Sequence, residues 1–252
     1  MAQRSLNKHC RLVLRGDRNW GSIDPVSRIA YLKGDEIPIP GTKIYEVGES
    51  IRIEGEQFQI MNFSPSVFHM VARRGAQVIQ PKDAAYMISR SGIGNGSVVL
   101  ESGVGTGALT AHILWAIGES GSLLSVDSNA GAFDLAKMNL QQFYSLENWK
   151  TEVSDIGEFK SDRKFDAIFL DLPEPWRASA LLEACTKRGS AAITYLPTFN
   201  QVEKTAGVFA EKGLTHEETV EIVARKILVR SGATRPENVP IGHTAFISVY
   251  RN

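Results

Sequence analysis

The spacing of hydrophobic residues changes near position 73. From residue 12 to residue 70 the apolar positions come in short runs that turn residues interrupt, which is typical of an antiparallel sheet. Beyond residue 73, apolar runs of strand length alternate with longer segments of helical periodicity, which indicates a parallel sheet covered by helices. We therefore predict a small β-rich N-terminal domain over residues 1–72 and an α/β domain over residues 73–252.

Glycine and proline separate the β-rich runs of the first domain, for example at Gly34-Asp35 and Gly55-Glu56. Short strands with such turns predict a small antiparallel barrel or meander. We interpret this domain as a structural or oligomerisation module without chemistry of its own. The predicted strands are residues 28–32, 43–46, 50–53 and 57–63.

The α/β domain begins with a helix that Pro81 opens, with Asp83 in its first turn, as the helix dipole favours. Strands are then predicted over residues 97–101, 123–126, 149–153, 165–170 and 191–195, with a late pair around 219–229 and 244–250. Helices are predicted over residues 109–117, 178–184 and 200–212, and from the second of these strands to about residue 143.

Composition restricts the class of protein without identifying a function. Hydrophobic residues make up 43% and charged residues 22%, as in ordinary globular proteins. The 28 basic and 28 acidic residues cancel, which argues against a surface that is basic throughout. Cys10 and Cys185 form neither a disulfide framework nor a zinc motif, so we expect two reduced thiols and no metal. No stretch is apolar enough for a membrane span or a signal peptide, so we expect a cytoplasmic protein.

A glycine-rich loop follows the first strand of the α/β domain. Gly103, Gly105 and Gly107 let the backbone turn sharply and pass close to a ligand that faces the next helix N-terminus. Dinucleotide sites and S-adenosylmethionine (SAM) sites share this loop. Because Gly103, Gly105 and Ala108 also satisfy the dehydrogenase pattern GxGxxA, an NAD-dependent oxidoreductase is an alternative.

Acidic residues follow the apolar strands at Glu101, Asp127, Asp155 and Asp171. The carboxyl ends of parallel strands meet at one edge of a sheet, so these carboxylates should converge on one crevice. Glu101 would repel a pyrophosphate but suits the ammonium group of an amino acid. Asp127 is placed to accept hydrogen bonds from ribose hydroxyls, and Asp155 from an adenine amine. The series favours SAM over NAD.

The sequence DLPEPW from Asp171 to Trp176 follows the fourth strand of this domain. Two prolines fix the backbone and an aromatic residue follows, as in the Pro-rich loops with which amino-methylating enzymes hold a base. Downstream of a glycine-rich loop, this segment indicates a binding site for a nucleobase.

Several motifs together resemble the tRNA (adenine-58-N1)-methyltransferase family from about residue 73 to the C-terminus. They are AQVIQPKDA at 76–84, VLESGVGTGALT at 99–110, DLPEPW at 171–176, YLPT at 195–198 with Gln201, and GHTAF at 242–246. The resemblance implies a Rossmann-like class I SAM-dependent methyltransferase fold and a homotetramer. It also implies methylation of N1 of an adenine in the T-loop of tRNA, at position 58, with position 57 as a further candidate.

The resemblance also assigns roles to individual residues. Asp127 corresponds to the ribose ligand, where the family more often has Glu, and Asp155 should face the cofactor adenine. Asp171 matches the catalytic acid, Tyr195 lines the base pocket, and Gln80 stands where the family commonly has an aromatic residue or His. The methionine and sulfonium end should lie along Glu101, Gly103, Gly105, Thr106, Gly107, Ala108 and Leu109.

Methyl transfer to adenine N1 requires little acid–base chemistry, because N1 carries no proton at neutral pH. The base must leave its stack and enter a pocket. Positive charge develops on the adenine, and Asp171 could stabilise it by accepting a hydrogen bond from the N6 amine. Asp171→Ala should therefore keep SAM binding and lose most transfer.

RNA contacts must come from local basic residues, since the net charge is zero. Arg73, Arg74 and Arg177, which adjoin the pocket motifs, are the strongest candidates for phosphate contacts. An alternative for the whole protein is a non-catalytic RNA-binding partner subunit of the same family. His243 is either a residue of the base pocket or a structural residue. The other basic candidates are Arg4, Lys8, Arg11, Arg15, Arg18, Lys82, Arg225, Lys226 and residues 230–235.

Overall fold

The computed structural model describes residues 11–73, 75, 78–238 and 242–252. Of these, residues 12–61 contain a six-stranded antiparallel sheet in the order β4-β3-β2-β1-β6-β5. Alternating residues of its strands face a separate apolar core that includes Leu14, Ile23 and Phe58. The strands are β1 (Leu12–Arg15), β2 (Trp20–Asp24), β3 (Ile29–Leu32), β4 (Asp35–Pro38), β5 (Ser50–Ile53) and β6 (Glu56–Met61).

The antiparallel sheet confirms the predicted class of the N-terminal region, although one predicted strand was wrong. Residues 43–46 form no strand, because this exposed segment folds back on itself. The Glu46 backbone N–H donates to the Glu49 carboxylate at 2.9 Å, and Lys43 forms an ion pair with Glu49 at 2.8 Å. The strands β1, β2 and β4 were not predicted.

Seven strands of the described α/β region form a second sheet in the order β12-β15-β11-β10-β7-β8-β9. Pairing is parallel from β11 to β9, whereas β15 runs antiparallel between β11 and β12. A short hairpin, β13–β14, leaves this region between β12 and β15. The strands are β7 (Val98–Ser102), β8 (Ser122–Asp127), β9 (Trp149–Val153), β10 (Phe165–Leu170), β11 (Thr186–Leu196), β12 (Thr215–Glu221), β13 (Ile227–Leu228), β14 (Arg235–Pro236) and β15 (Phe246–Arg251).

Helices cover both faces of this sheet. Helix α2 begins at Pro81, as predicted, and ends before Gly92, whose left-handed backbone (φ +74°) stops it. Helix α4 ends three residues earlier than predicted, and β11 begins five residues earlier. The α-helices are α1 (Phe68–Val71), α2 (Pro81–Ser91), α3 (Ala108–Ile117), α4 (Ala130–Leu140), α5 (Ser179–Cys185) and α6 (Phe199–Glu211).

Side chains from the N-terminal region enter the core of the α/β region. Val13 and Phe68 belong to the same buried cluster as Leu109 and Ile193. Phe63 stacks on Phe143 with ring centroids 4.0 Å apart. The boundary predicted at residue 72 is therefore crossed by close apolar packing, and it stays a prediction.

One buried side chain joins the segment after α1 to the glycine-rich loop. The Asn139 amide oxygen accepts from the Arg73 backbone N–H at 2.8 Å. Its nitrogen donates to the carbonyl oxygens of Arg73 at 3.2 Å and of Thr106 at 3.0 Å. Buried amides are stable when they are bonded in this way.

Elsewhere, Cys185 is a buried thiol. No helix within the described residues is long and apolar enough to cross a membrane.

Candidate active site

The strand order of the large sheet reverses between β7 and β10, and the loops after these two strands meet there. In open α/β sheets ligands bind in the crevice at this switch point. Gly103 has φ +88°, and a Cβ atom built on it would overlap the backbone carbonyl oxygen of Asp171. The glycine-rich loop and the DLPEPW loop therefore touch through their backbones, and only glycine permits that approach.

The other two glycines of the loop differ in how much space surrounds them. Gly105 also has positive φ, and no heavy atom of the described residues lies within 4 Å of a Cβ built there. Gly107 precedes α3, and a Cβ on it would press on Ala136 and Leu140 at 3.2 Å. Ala108 is the first residue of α3, so the N-terminus of this helix directly follows the glycine-rich loop, and helix N-termini favour negatively charged or hydrogen-bond-accepting ligand groups.

Glu101 lies at the end of β7 with no exposed surface. Its carboxylate accepts hydrogen bonds from the hydroxyls of Thr110 (2.9 and 3.0 Å) and Ser125 (2.7 Å). Burial, with a smaller effect from the charges of Asp171 and Asp127, raises the pKa of Glu101 to about 8. Its side chain organises two neighbouring elements, and its predicted contact with an ammonium group stays a prediction.

Asp127 stands at the end of β8 and binds the glycine-rich loop directly. One oxygen accepts from the Val104 backbone N–H at 2.9 Å, and the other accepts from Asn129 at 2.9 Å. Each carboxylate oxygen has a second lone pair. The side chain is half-buried at the rim, so it can hold the loop and still accept from a ribose hydroxyl.

Asp155 follows β9 and pairs with a residue of the DLPEPW region. Its carboxylate accepts from the Gly157 backbone N–H at 2.8 Å and forms an ion pair with Arg177 at 2.7 Å. Both partners are partly exposed. Arg177, which we expected to contact phosphate, thus neutralises the acid expected at the cofactor adenine.

Asp171 lies at the end of β10, half-buried, with its backbone N–H bonded to the Ser102 carbonyl oxygen at 2.9 Å. Burial, together with the nearby charge of Asp127, raises the pKa of Asp171 to about 7. Perturbed carboxyl groups in a crevice mark candidate catalytic sites. Asp171 therefore has the position and the environment expected of the acid at the base pocket.

Tyr195 is buried near the end of β11, and its hydroxyl donates to Asp83 at 3.1 Å. Burial and the charge of Asp83 raise the pKa of Tyr195, so the phenol stays protonated. Asp83 is fully buried and also accepts from Lys82 at 2.7 Å. Lys82 in turn donates to the Thr244 hydroxyl at 2.8 Å. This network connects α2, β11 and the GHTAF segment.

Gln80 precedes α2 and is half-buried. Its amide nitrogen donates to the Val78 carbonyl oxygen at 3.3 Å. Its backbone carbonyl oxygen accepts from the N–H groups of Asp83 and Ala84, each at 3.0 Å. Its predicted contact with the target base stays a prediction.

Basic residues line a cleft between the N-terminal sheet and α4, with a volume of about 720 Å³. Arg11 lies 3.3 Å from the centre of the Tyr31 ring and donates to Gln142 at 3.1 Å. Burial lowers the pKa of Arg11. The basic residues of the cleft are Arg11, Arg18, Lys33 and Arg73. Of the other predicted residues, Arg4, Lys8, Cys10 and Arg74 lie outside the described residues.

Comparison with known proteins now identifies the family. The model of a family described as the tRNA methyltransferase complex GCD14 subunit matches residues 57–245. The chain belongs to this family. This confirms the family resemblance that the sequence motifs indicated.

Two relatives illustrate the GCD14 family. The chain is similar to the tRNA (adenine(57)-N(1)/adenine(58)-N(1))-methyltransferase TrmI of Methanocaldococcus jannaschii, with 30% identity over 86% of this chain and 87% of that protein. It is also similar to a tRNA (adenine(58)-N(1))-methyltransferase TrmI of Thermus thermophilus, with 28% identity over 78% of each chain.

Solved structures confirm the predicted Rossmann-like methyltransferase fold with a small β domain. The crystal structure of tRNA (m1A58) methyltransferase TrmI from Aquifex aeolicus matches with a TM-score of 0.76 at 23% identity and covers 98% of both chains. That of the SAM-dependent O-methyltransferase TM0748 from Thermotoga maritima matches with a TM-score of 0.79 at 24% identity, over 98% of this chain and 94% of that one. These relatives do not favour the oxidoreductase alternative.

Proposed function

We propose that this member of the GCD14 family transfers the methyl group of SAM to N1 of an adenine in the T-loop of tRNA. Position 58 is the target we expect, with position 57 as a further candidate. The observation that carries the proposal is the backbone contact between Gly103 and Asp171, which joins a cofactor loop to a base-binding loop. The activities named for the Methanocaldococcus and Thermus relatives support the same reaction.

The residues around the glycine-rich loop fit SAM. The open side of Gly105 and the N-terminus of α3 leave a cradle for the methionine end. We assign the ribose hydroxyls to Asp127 and the adenine amine to Asp155. When bound, SAM supplies a methyl group activated by its positive sulfonium.

The residues beyond this loop position and stabilise the base. Asp171 accepts from the N6 amine of the target adenine and offsets the positive charge that develops on the ring. Tyr195, held by Asp83, forms the wall of the pocket, and Gln80 offers an amide from the start of α2. Rate enhancement then comes from orientation of the base and from electrostatic stabilisation, with no base needed to remove a proton from N1.

We assign interaction with tRNA to the basic cleft, where four cations that can contact phosphates outnumber two acids, Asp35 and Glu36. We also expect a homotetramer in the cytoplasm. Exposed apolar residues on and near the β13–β14 hairpin support self-association: Val223, Ile227 and Val229 are 65%, 52% and 78% exposed.

The decisive experiment is incubation of the protein with unmodified tRNA and labelled SAM, followed by mapping of the methylated nucleotide. Label at N1 of a T-loop adenine is the expected result, and Asp171→Ala should bind SAM by calorimetry but transfer little label. Methylation of a protein or a small molecule would contradict the substrate. Tight binding of NAD without SAM would revive the oxidoreductase alternative, and absence of SAM binding would favour a non-catalytic subunit.

A further inference from the structure

Two stacked aromatic rings, one of them largely exposed, lie at the end of the large sheet. Phe199, the first residue of α6, is 68% exposed. Its ring stacks on Phe246, the first residue of β15, with centroids 4.3 Å apart and planes at 28°. His243 packs against the other ring at 4.7 Å. We call Phe199, Phe246 and His243 the aromatic ledge.

The ledge is built on fixed elements. His243 Nδ1 lies 2.6 Å from the Glu221 carboxylate, and Nε2 lies 2.8 Å from the Pro197 carbonyl oxygen. Both partners are acceptors, so they favour the imidazolium, which donates to each of them, and the pKa of His243 is raised. The Thr198 hydroxyl caps α6 by accepting from the Gln201 backbone N–H at 3.4 Å.

The ledge adjoins the proposed base pocket. Phe199 follows Tyr195 by four residues, just past the end of β11, and Leu196 pairs with Phe246 in the sheet. The Gln201 amide nitrogen donates to the carbonyl oxygen of Pro173 in the DLPEPW loop at 2.9 Å. The first turn of α6, which begins with Phe199, is therefore bonded to the loop that begins with Asp171.

An exposed phenylalanine ring that is held by stacking on a half-buried one, next to the proposed base pocket, suits contact with an unpaired base. Removing the target adenine from its stack leaves a neighbouring base without a partner on one face. An aromatic ring replaces that partner, and such stacking tolerates any base because every base has a π-face. His243 and Lys82 are each paired with a carboxylate, whereas the exposed Lys204 of α6 places its ammonium 3.9 Å from the centre of the Trp176 ring in the DLPEPW loop. That cation on this side suits a polyanion better than a second apolar surface.

We propose that the aromatic ledge stacks the nucleobase adjacent to the target adenine, with Phe199 as the ring that the base contacts. This inference rests on the proposed function, since it takes RNA as the substrate. The ledge is a subsite separate from the pocket of Asp171 and Tyr195.

The test compares tRNA binding of Phe199→Ala, Phe199→Leu and Phe199→Trp by fluorescence, without SAM and without catalysis. Leucine keeps an apolar side chain but has no π-face, so it separates stacking from apolar contact. Both Ala and Leu should lower tRNA affinity about tenfold, the size of one lost stack, and Trp should restore it. SAM affinity and the unfolding temperature should match wild type in all three variants.

A second arm replaces the nucleotide on either side of the target adenine with an abasic one. On one of these two tRNAs the wild type and Phe199→Ala should bind equally, because the stack is already missing. Two results would overturn the proposed stacking on Phe199. One is a wild-type tRNA affinity of Phe199→Leu, and the other is a full loss of affinity of Phe199→Ala on both abasic tRNAs. A changed subunit number in Phe199→Ala by sedimentation would assign the ring to a contact between copies instead. Because these readouts are of binding, a failure to methylate tRNA would count against the proposed function separately.

Discussion

The backbone of Gly103 lies against the carbonyl of Asp171, with no space between them for a side chain. This contact unites two loops that are 68 residues apart in the sequence. It fixes the distance between the glycine-rich loop, where we propose that the cofactor binds, and Asp171, the acid proposed for the base pocket. Because transfer depends on the position of the acceptor relative to the methyl group, this distance should govern activity.

Gly103→Ala should abolish SAM binding and lower stability. The new methyl group would overlap the Asp171 carbonyl, and φ +88° is costly for alanine. Gly189→Ala is the matched control, since Gly189 has φ +78° and open space within 4 Å among the described residues. Calorimetry with SAM would measure the affinity for the cofactor, and urea unfolding would measure the stability of each variant. Equal SAM affinity in the two variants would show that backbone strain, rather than the contact, accounts for any effect.

Glu101→Gln should make stability less dependent on pH. Burial keeps Glu101 protonated in the folded state up to about pH 8, whereas the unfolded chain releases that proton near its ordinary pKa of 4.5. Folding therefore loses stability as pH rises from about 5 to 8, by at most about 1.4 kcal/mol per pH unit from this group. Asp171, with its pKa of about 7, acts in the same direction.

Urea unfolding of wild type and Glu101→Gln at pH 5, 6, 7 and 8 measures this difference. The free energy of unfolding of the variant should rise relative to that of the wild type with each increase in pH. Parallel curves for the two proteins would mean that Glu101 is ionised in the folded state. The measurement is made without SAM, because a bound cation would favour the carboxylate.

Asp155→Asn should weaken SAM binding about tenfold, the loss expected for a hydrogen bond to a charged acceptor. The thermal stability should hardly change, because the ion pair with Arg177 is partly exposed. Glu183→Gln removes the comparably exposed ion pair with Lys212 (3.1 Å) outside the site, and it should leave SAM affinity unchanged. If both variants bind SAM as wild type does, Asp155 does not contact the cofactor.

Arg73→Glu should weaken tRNA binding and reduce its salt dependence. Each phosphate contact that is lost lowers the slope of log K against log salt by about one. Arg52→Glu makes the same charge change on an exposed part of β5, a strand that contributes nothing to the described cleft. An Arg73→Glu slope equal to that of Arg52→Glu would exclude Arg73 as a phosphate contact.

Asp83→Ala should destabilise the protein by about 3 kcal/mol. The variant leaves the Lys82 ammonium largely buried without its carboxylate and takes the acceptor from the Tyr195 hydroxyl. Glu49→Ala breaks the exposed ion pair with Lys43 and should change stability little. Urea unfolding compares them, and similar losses in both variants would show that the buried network contributes nothing special.

Periodicity predicted the α/β region well where the strands are apolar and buried, as in β7 and β10, and it also located β9, most of whose residues are exposed. The strands β9 and β10 lie at the predicted residues, and helix α2 begins at the predicted proline. The N-terminal strands were harder. β1 and β4 are no shorter than the predicted strands β3 and β5, but they pair through contacts that no local pattern reveals. Residues 43–46 have the composition of a strand but no partner among the described strands.

The strand-end acids were found from the sequence because topology alone brings them to one edge. The side chains that hold these acids in place were not predicted from the sequence. Asp83 meets Tyr195 from 112 residues away, and Ser125 meets Glu101 from 24 residues away, so no local spacing indicates either pair. The salt bridge that occupies Asp155 depended on where Arg177 points, which only packing decides.

The amide of Asn139 gives the wall of the basic cleft and the glycine-rich loop a shared hydrogen-bond partner. It binds the backbone of Arg73, which lines the cleft, and the carbonyl of Thr106, which belongs to the glycine-rich loop. A ligand that shifts Thr106 must therefore either break a buried hydrogen bond or carry Arg73 with it. Thermodynamic reciprocity then applies. If one ligand changes the affinity for the second by some factor, the second changes the affinity for the first by the same factor. If nucleic acid binds at the cleft and the cofactor at the loop, as we propose, Asn139 couples their two affinities equally, whichever binds first.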